Sequence, residues 1–574
     1  MKLVDGIKHS GRRTHVAVFL LLASVVSLVY WSVVSLGFFS DDYHMLWVTQ
    51  GHQGSVFSYI LTNLIGERGG HSYGPTFNIV FTAQYALFGM RALGYHVVSI
   101  LFHLATSFFL YLLVYRLLGR RSIAVVTGLL FAVFHTHVSS IAWISVQPHL
   151  IATCMTVLGM WLYLLFLDTR KNVWYVGALL AFLFGVFAKE IAITFPLLMV
   201  VLVVWRRKQS SWTAVFKRCC MHLLFPAIIV VTYLFLRRYT TGISIGFYAQ
   251  EQIPLDLARM WHMFLELTAN MFVAQPYRHV LVVWADTHIV RTLFGFAVLA
   301  SLPYIFVKKK SWDIYVASLV YGLLTLPVLQ VGYNTLTNEG ERYTYLPSTF
   351  FIFASVLLCW NVGQRLKKNA QYFFRGVLLF SCILWSVVLS YDKLADWQVT
   401  NTIVHDVLRS YTSLSFEPDD YIYLIGMPDT LNGAQLFRNA SIYMFALETK
   451  TSPIHGDRIS MFHMITKQAY QQSQSSVVQN NVGDDVDTWK MRDPEMELGS
   501  RAFHGVPIVE HTYANFSLDD FRKTDESGTA IHIVRSPTQI AQAQKDDVRI
   551  GVLYYTNGTL EKLYLDEEKG VINP

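Results

Sequence analysis

The feature that most constrains this chain is the regular alternation of long apolar runs with short clusters of lysine and arginine. Its 574 residues are 53% hydrophobic and 15% charged, whereas a soluble chain carries roughly 25% charged residues. An apolar helix of about 20 residues spans the hydrocarbon core of a bilayer. Basic clusters that follow every second run fit the concentration of lysine and arginine on the cytoplasmic side. The pattern therefore predicts a polytopic α-helical membrane protein with about eleven transmembrane helices.

The basic segment before the first run places the N-terminus in the cytoplasm, and the run is too long for a cleaved signal peptide. The predicted spans are about 16–36, 94–117, 123–137, 149–167, 174–188, 191–205, 221–236, 288–307, 314–331, 345–360 and 373–389. An outer loop over residues 38–93 is expected to contain two surface helices, the second at Pro75–Phe88. A further interfacial helix is expected near Leu257–Phe272. The lysine and arginine residues that give the net charge of +7 cluster in the predicted cytoplasmic turns. This charge therefore does not indicate a nucleic-acid partner.

Residues 392–574 are more polar than the preceding chain and are predicted to form an extracytoplasmic α/β domain. This domain follows a predicted transmembrane domain over residues 1–391. Residues 421–426 and 530–534 have the pattern of buried strands, and residues 549–555 and 560–565 flank Asn557-Gly558, a strong hairpin signal. The stretch 471–481 is rich in Gln, Ser and Asn and reads as a surface loop. No catalytic motif occurs in this region, so we look for function in the transmembrane part.

Two adjacent carboxylates, Asp41 and Asp42, follow the first apolar run within the sequence FFSDDYH. Ionised side chains beside hydrocarbon persist mostly where they pair, face water or do chemistry. The alternative is a structural role, because an aspartate accepts hydrogen bonds from the free N–H groups at a helix start. Asp42 is the better placed to cap a short helix expected at 43–49, which leaves Asp41 as the favoured functional carboxylate.

The predicted topology places three more charged pairs at the outer ends of spans. Each has a structural alternative. Lys189-Glu190 could be a self-neutralising pair at a helix turn, Arg237-Arg238 could snorkel from a helix end, and Glu341-Arg342 could be a surface pair. Paired outer arginines also suit an anionic headgroup, because a guanidinium binds phosphate through two hydrogen bonds. The sequence alone leaves both interpretations open.

Several histidines lie close to the predicted outer turns. His135, His137 and His149 suggest a metal site only weakly, because residues two apart on a helix point in different directions. His96 and His103 are seven residues apart and share one helix face, where they are either packed or pore-lining. These rings are therefore supporting rather than primary candidates.

Four motifs together resemble the GT-C glycosyltransferases, in particular the transmembrane O-mannosyltransferases with tetratricopeptide repeats and their bacterial relatives. The motifs occur in the same order over residues 16–390. They are FFSDDYH at 38–44, GYHVVSILFHLATSFFL at 94–110, FAKEIAITFP at 187–196 and ERYTYLPS at 341–348. Neither tetratricopeptide repeats nor a WWDxG motif occurs in the sequence, which favours transfer of one sugar over en bloc glycan transfer.

The resemblance implies an inverting enzyme that takes a sugar from a polyprenyl-phosphate carrier on the non-cytoplasmic face of a membrane. From this resemblance we expect the bacterial inner membrane. The acceptor would be a glycan, a lipid or a protein. No cofactor is certain, and a divalent cation is possible. The implied catalytic base is Asp41 or Asp42. The implied phosphate-binding residues are Lys189, Arg237, Arg238 and Arg342, and the supporting residues are Glu190, Glu341, His96 and His103.

The competing class is a non-enzymatic membrane protein, either a transporter of lipid-linked glycans or an assembly scaffold. Transporters commonly show internal repeats and charged or helix-breaking residues in the middle of a span. Here the charges gather at the outer ends of the predicted spans, which favours an enzyme with an active site at the membrane surface.

The alternation of basic clusters makes a direct prediction about topology. In a variant without native cysteines, a membrane-impermeant thiol reagent should label His52→Cys and Asn480→Cys in intact cells. Lys208→Cys and Lys309→Cys should react only after permeabilisation, since they lie in basic cytoplasmic turns. Labelling of position 52 only after permeabilisation would overturn the orientation, because Asp41 would then face the cytoplasm.

Overall fold

The apolar runs of the sequence form helices in the computed structural model of the chain. Up to residue 414, the structure describes residues 11–51, 56–65, 73–206, 211–242, 257–272, 312–329, 340–362 and 367–414. Beyond residue 420 it describes residues 421–428, 430–431, 433–437, 441–448, 459–466, 477–482, 486–491, 496–499, 509–511, 514–518, 530–534, 545, 550–556, 559–565 and 572–573.

The described α-helices are labelled α1 to α16 in chain order. They are α1 Gly11–Tyr30, α2 Asp41–Gln50, α3 Val56–Ile65, α4 Pro75–Phe88, α5 Ala92–Leu118, α6 Arg121–Ala132, α7 Val138–Ala142, α8 Gln147–Thr169, α9 Asn172–Ala188, α10 Phe195–Trp205, α11 Trp212–Thr241, α12 Leu257–Phe272, α13 Trp312–Thr325, α14 Tyr345–Val362, α15 Lys368–Ser413 and α16 Ser441–Glu448. The 3₁₀ helices are Trp31–Ser35, His135–His137, Ile144–Val146, Glu190–Thr194, Leu326–Val328 and Glu341–Thr344.

Six helices of the described residues are long and apolar enough to cross a membrane. They are Arg13–Ser35, Ala92–Leu118, Ile144–Thr169, Trp212–Thr241, Glu341–Asn361 and Asn369–Ser413. The pair Arg121–Ala132 and His135–Ala142, bent by 45°, makes up to seven. The apolar helices Asn172–Ala188, Glu190–Trp205 and Trp312–Val328 are shorter. Each predicted span among the described residues falls on one of these helices, while the span at 288–307 lies outside them, so the total of about eleven stays a prediction.

Several predicted boundaries can be compared with the structure directly. The surface helices Pro75–Phe88 and Leu257–Phe272 have the predicted bounds. The short helix expected at 43–49 begins two residues earlier, at Asp41. The last predicted span was expected to end near residue 389, but α15 continues to Ser413. The helix extends beyond the predicted span because residues 377–413 contain neither glycine nor proline to end it.

The chain divides into two compact units, which are described separately below. The first unit comprises Met1–Leu36 and His52–Leu394, and the second comprises Gly37–Gly51 and Ala395–Pro574. The first unit therefore holds most of the apolar helices. The Asp41–Asp42 pair belongs to the second.

In the first unit, two buried histidines stabilise the break between α6 and α7. A helix end leaves backbone carbonyls without partners, which is costly where water is excluded. His103 on α5 donates from Nε2 to the carbonyl oxygen of Ala132 (3.1 Å), and His137 donates from Nδ1 to that of Phe131 (3.0 Å). Two carbonyl groups exposed by the break thus accept hydrogen bonds from imidazole N–H groups.

Small residues allow the helices of the first unit to approach closely, as is common in membrane proteins. Gly159 on α8 faces the ring of Phe195, and a Cβ atom at residue 159 would lie 2.8 Å from that ring. Phe195 is fully buried and stacks on Phe182 with ring centres 5.0 Å apart. The stacked rings therefore occupy the space that any side chain at residue 159 would need.

In the second unit, the described strands form two larger sheets and a short two-stranded one. The strands are β1 Tyr421–Pro428, β2 Thr430–Leu431, β3 Ala434–Gln435, β4 Ile459–Thr466, β5 Val477–Val482, β6 Val486–Met491, β7 Met496–Gly499, β8 Val509–His511, β9 Ala514–Leu518, β10 Ala530–Val534, β11 Ile550–Thr556, β12 Thr559–Leu565 and β13 Ile572–Asn573. The orders are β13-β12-β11-β1-β4-β7, β5-β6-β10-β9-β8 and β2-β3. Strand β1 is parallel to both its neighbours, and the five-stranded sheet is antiparallel.

The predicted strands of this unit agree with the structure, with one exception. Strands β11 and β12 pair antiparallel, and the Thr556–Thr559 pair leaves the two residues of the predicted turn between them. The stretch 471–481 was expected to be a surface loop, but its last residues begin strand β5, Val477–Val482. The two valines that start this strand are a β-favouring signal that the surrounding polar composition obscured.

The contact between Gly159 and Phe195 predicts that one added methyl group at residue 159 destabilises the protein. Gly159→Ala should lower the free energy of unfolding by about 1–3 kcal/mol, because the new methyl group must displace a stacked, buried ring. Gly376→Ala is the matched control, since nothing lies within 4 Å of a Cβ atom at residue 376. Thermal unfolding of both purified variants in the same detergent measures the difference. Equal melting temperatures for the two variants would contradict the packing described here.

Candidate functional site

The acidic pair of the FFSDDYH motif lies at the start of α2 in the second unit. Ser40, directly before the helix, has φ 47° and ψ −118°, in a region that residues other than glycine rarely adopt. Asp42 is fully buried, and its Oδ2 accepts a hydrogen bond from the backbone N–H of Phe39 at 3.0 Å. Asp41 is partly exposed. Asp42 thus fixes the backbone of the turn, whereas Asp41 remains partly accessible to solvent.

The sequence-based expectation for the helix start needs one correction. Because α2 begins at Asp41 rather than near Tyr43, the N-cap position belongs to Ser40, whose side chain makes no capping hydrogen bond. Asp42 acts from inside the first turn by reaching back to Phe39, as the glutamate of a capping box does. The distinction between a structural Asp42 and a more accessible Asp41 is the one that the sequence suggested.

Side chains of α15 hold the turn that precedes the acidic pair. The backbone N–H of Gly37 donates to Oδ1 of Asn401 at 2.8 Å. The ring of Phe39 packs edge-on against Trp397, with ring centres 5.3 Å apart. These contacts fix the backbone on the N-terminal side of Asp41, so its carboxylate is presented by an ordered turn.

In the first unit, Lys189 and Glu190 lie at the break between two apolar helices. Helix α9 ends at Ala188, Lys189 is extended with φ −156° and ψ 137°, and the 3₁₀ helix Glu190–Thr194 follows. The Lys189 Nζ and Glu190 Oε1 atoms are 3.2 Å apart, and each residue is only 8% exposed. The two opposite charges partly neutralise each other, which agrees with the alternative of a self-neutralising pair at a helix turn. Its burial distinguishes it from a surface pair, which contributes little free energy.

Arg237 on α11 belongs to the same charged neighbourhood, and its guanidinium acts electrostatically on Glu190. Arg237 is 6% exposed, which excludes simple snorkelling into water or headgroups. Tyr233, one helical turn earlier, is fully buried against Phe187, with ring centres 5.4 Å apart. Arg238 is exposed and donates to the carbonyl oxygen of Gly242 at 3.3 Å. Adjacent residues point about 100° apart on a helix, so only the first arginine faces the interior.

The balance of burial and charge decides the protonation of Glu190. Burial raises the pKa of its carboxyl group, and the neighbouring Lys189 and Arg237 lower it. The cations prevail, and the pKa of Glu190 lies below its ordinary value. The two cations therefore favour the carboxylate form of Glu190.

Arg342 extends this cationic neighbourhood from the 3₁₀ helix before α14. Its Cζ atom lies 5.4 Å from the ring centre of Trp143 and 4.8 Å from that of Tyr343, within the range of cation–π attraction. A terminal nitrogen of Arg342 also donates to the Tyr343 hydroxyl at 3.2 Å. The His149 ring packs edge-on against Tyr343 at 5.6 Å, and both Lys189 and Arg342 act electrostatically on it. We call Lys189, Glu190, Arg237 and Arg342 the cationic cluster, and the His149 ring lies at its border.

Glu341 has a partner that the sequence did not indicate. It is 2% exposed and forms an ion pair with Nζ of Lys393 on α15. The side-chain amide of Asn270 on α12 donates to Glu341 at 3.4 Å, and Lys393 also donates to the carbonyl oxygen of His135 at 3.3 Å. The surface-pair alternative therefore does not hold for Glu341, whose buried carboxylate contacts Asn270 and Lys393 within the first unit.

The remaining histidine candidates are packed rather than open. His96 and His103 are fully buried, and His103 accepts at Nδ1 from the Tyr345 hydroxyl at 2.8 Å. This burial favours packing over a water-filled pore. Within the described part of the chain, no group of three or more His, Cys, Asp or Glu side chains is placed to hold a metal ion.

Sequence analysis missed several residues of this site. Trp143 and Tyr343 flank Arg342, and Asn270 and Lys393 contact Glu341. Tyr343 stands inside the ERYTYLPS motif, which could have indicated it. Lys393 lies where polarity alone suggested the start of a soluble domain, so the sequence carried no signal for its buried role.

The fold and the cluster together define a helical membrane protein with a buried lysine at a break between apolar helices and a buried arginine on a neighbouring helix. Residues 72–235 match the family described as dolichyl-phosphate-mannose-protein mannosyltransferase. A stretch of 140 residues is 26% identical to protein O-mannosyl-transferase TMTC3 of Mus musculus, covering 23% of this chain and 15% of that protein. These matches confirm the resemblance to membrane glycosyltransferases that the four motifs indicated.

Solved structures of an oligosaccharyltransferase from Archaeoglobus fulgidus also match. The apo form matches with a TM-score of 0.42 and 12% identity, covering 72% of this chain and 63% of that one. The same organism's AglB in complex with an inhibitory peptide and a dolichol-phosphate matches with a TM-score of 0.40 and 10% identity, covering 77% of this chain and 64% of that one. This chain thus spans somewhat less than two thirds of each.

Proposed function

We propose that the chain is an inverting membrane glycosyltransferase that moves a sugar from a polyprenyl-phosphate carrier to an acceptor hydroxyl on the non-cytoplasmic face. The observation that supports this most is the cationic cluster. Its described members contribute three positive charges, from Lys189, Arg237 and Arg342, and one negative charge, from Glu190. A cluster of this composition among apolar helices suits an anion that arrives within the membrane, and a lipid phosphate is such an anion.

The chemistry of the cluster fits a phosphate better than a carboxylate or a sugar alone. Arginine presents a planar fork that binds two phosphate oxygens, and lysine adds a point charge. Low dielectric around Lys189 and Arg237 strengthens their interaction with an anion. Glu190 keeps its charge and orients Lys189, so the cluster would be ordered before the carrier binds.

The proposed reaction needs few groups because its leaving group is already a stable anion. The acceptor oxygen forms a bond to the anomeric carbon while the bond from that carbon to the phosphate oxygen breaks. The electron pair of the broken bond stays on the phosphate, and the hydroxyl proton passes to a carboxylate, for which we propose Asp41. Attack opposite the leaving group inverts the anomeric configuration. The cations stabilise the charge that develops on the phosphate.

The description of the matching family suggests the first donor to test. It names dolichyl-phosphate-mannose, so we propose a polyprenyl-phosphate hexose as the donor class. The acceptor class stays open among glycans, lipids and proteins. We propose that both reactants bind on the outer side of the membrane, as the charge pattern of the sequence predicts.

The assignment of the base can be tested with two conservative variants. Asp41→Asn should lose ~10²–10⁴-fold in turnover, because an amide cannot accept the hydroxyl proton. Asp42→Asn should lose less, since an amide oxygen can still accept the hydrogen bond from Phe39. The measurement is sugar transfer from purified dolichyl-phosphate-mannose to a mixed acceptor pool, with donor binding measured in parallel.

The two variants also separate the competing classes. Equal, full activity of Asp41→Asn and Asp42→Asn would remove both carboxylates from the mechanism. A wild-type protein that binds the carrier lipid and transfers no sugar to any acceptor would instead favour a transporter.

The contrast between two adjacent arginines tests the phosphate site. Arg237→Gln should weaken binding of dolichyl-phosphate-mannose by about tenfold or more, because a charge-assisted hydrogen bond is lost. Arg237→Lys should weaken it less, since it keeps the charge without the fork. Arg238→Gln is the matched control and should bind normally, because Arg238 is exposed. Equal affinities for Arg237→Gln and Arg238→Gln would argue against the cluster as the phosphate site.

A further inference from the structure

Two buried side chains beside Arg342 carry polar atoms without a hydrogen-bond partner among the described residues. They are Nε1 of Trp143 and Nδ1 of His149, and each residue is only 4% exposed. An indole N–H is a donor that a buried site normally pairs. In a native structure, an unsatisfied buried polar group calls for an explanation such as a ligand or ordered water.

Trp143 contacts Arg342 of the cationic cluster, and His149 contacts the neighbouring Tyr343. The Trp143 ring lies 5.4 Å from the guanidinium carbon of Arg342, and the His149 ring lies 5.6 Å from the Tyr343 ring. Arg342 itself stacks on Tyr343 at 4.8 Å. The unsatisfied atoms therefore border the region that we assign to the carrier phosphate.

The backbone explains why these two residues are brought there. Trp143 is extended between α7 and the 3₁₀ helix Ile144–Val146, and His149 lies in the first turn of α8. Two changes of helical geometry within seven residues turn both side chains toward the interior of the first unit. The segment is ordered without hydrogen bonds to the two ring nitrogens, so those nitrogens are available to a ligand.

We propose that Trp143 and His149 bind hydroxyl groups of the donor sugar and thereby select a sugar-bearing carrier over a bare one. This proposal rests on the proposed function, because it takes Arg342 as part of the phosphate site. A sugar linked directly to that phosphate presents hydroxyl groups within a few ångströms of it. A hydroxyl group both donates and accepts, so it satisfies the indole N–H and a histidine nitrogen alike. Trp143 and His149 are specificity-determining residues, and neither takes part in bond breaking.

The test compares two lipids on the full-length protein in nanodiscs of neutral phospholipid. The probes are dolichyl-phosphate-mannose and sugar-free dolichyl phosphate. Trp143→Phe keeps an aromatic ring under Arg342 and removes only the N–H donor. It should weaken binding of the sugar-bearing lipid about five- to tenfold, with binding of the sugar-free lipid unchanged within twofold. His149→Phe should show the same selective loss.

Trp161→Phe is the matched control, because Trp161 lies on the same helix as His149 and stacks on Phe109 away from the cluster. It should bind both lipids as the wild type does. Parallel losses for both lipids in Trp143→Phe and His149→Phe would overturn the proposal, since they would mean a structural or phosphate-binding role. Unchanged binding of both lipids would overturn it as well.

A measurement on the wild type covers the case in which the variants do not fold. The wild type should prefer the mannose-bearing lipid, and analogues lacking one sugar hydroxyl should lose part of that preference. Equal affinity for the mannose-bearing and sugar-free lipids would reject the sugar subsite while leaving the phosphate site in place. Failure to bind either lipid would instead reject the proposed function and the subsite together.

Discussion

The buried ion pair of Lys189 and Glu190 is the interaction on which the rest of this site depends. Removing two charges from water costs several kcal/mol per ion, and their attraction offsets that cost only with good geometry and additional partners. The break between α9 and the following 3₁₀ helix supplies this geometry, and Arg237 supplies a further charge. An apolar helix bundle that keeps such a cluster gains little stability from it, which is consistent with the anion-binding role that we propose.

Polar contacts also occur at other breaks between helices of the first unit. Two carbonyl groups at the break between α6 and α7 accept hydrogen bonds from side chains of other helices, Ala132 from His103 and His135 from Lys393. Glu341 lies at the start of another such segment and is held by Lys393. Charged and polar residues therefore contact several helix ends of the first unit, and Lys189, Glu190 and Arg342 of the candidate site lie at such ends.

The sequence was sufficient for features that depend on local patterns. Apolar periodicity and proline at a first helical position predicted Pro75–Phe88, and the Asn-Gly signal predicted the β11–β12 hairpin. The sequence could not show which of Arg237 and Arg238 faces inward, because that depends on the neighbours of α11. Nor could it show that Glu341 pairs with Lys393, 52 residues later. Contacts between distant segments arise from packing, and a single sequence does not display them.

Photo-crosslinking of the carrier lipid tests the central claim most directly, namely that the cationic cluster binds a lipid phosphate. The probe is a polyprenyl phosphate with a photoreactive group in the first isoprene unit, and mass spectrometry locates the labelled residues in the wild-type protein. The account predicts labelling within residues 187–196, 233–241 and 340–348, suppressed by excess unlabelled dolichyl phosphate. Labelling confined to the lipid-exposed faces of α1 and α15, unaffected by competitor, would contradict it.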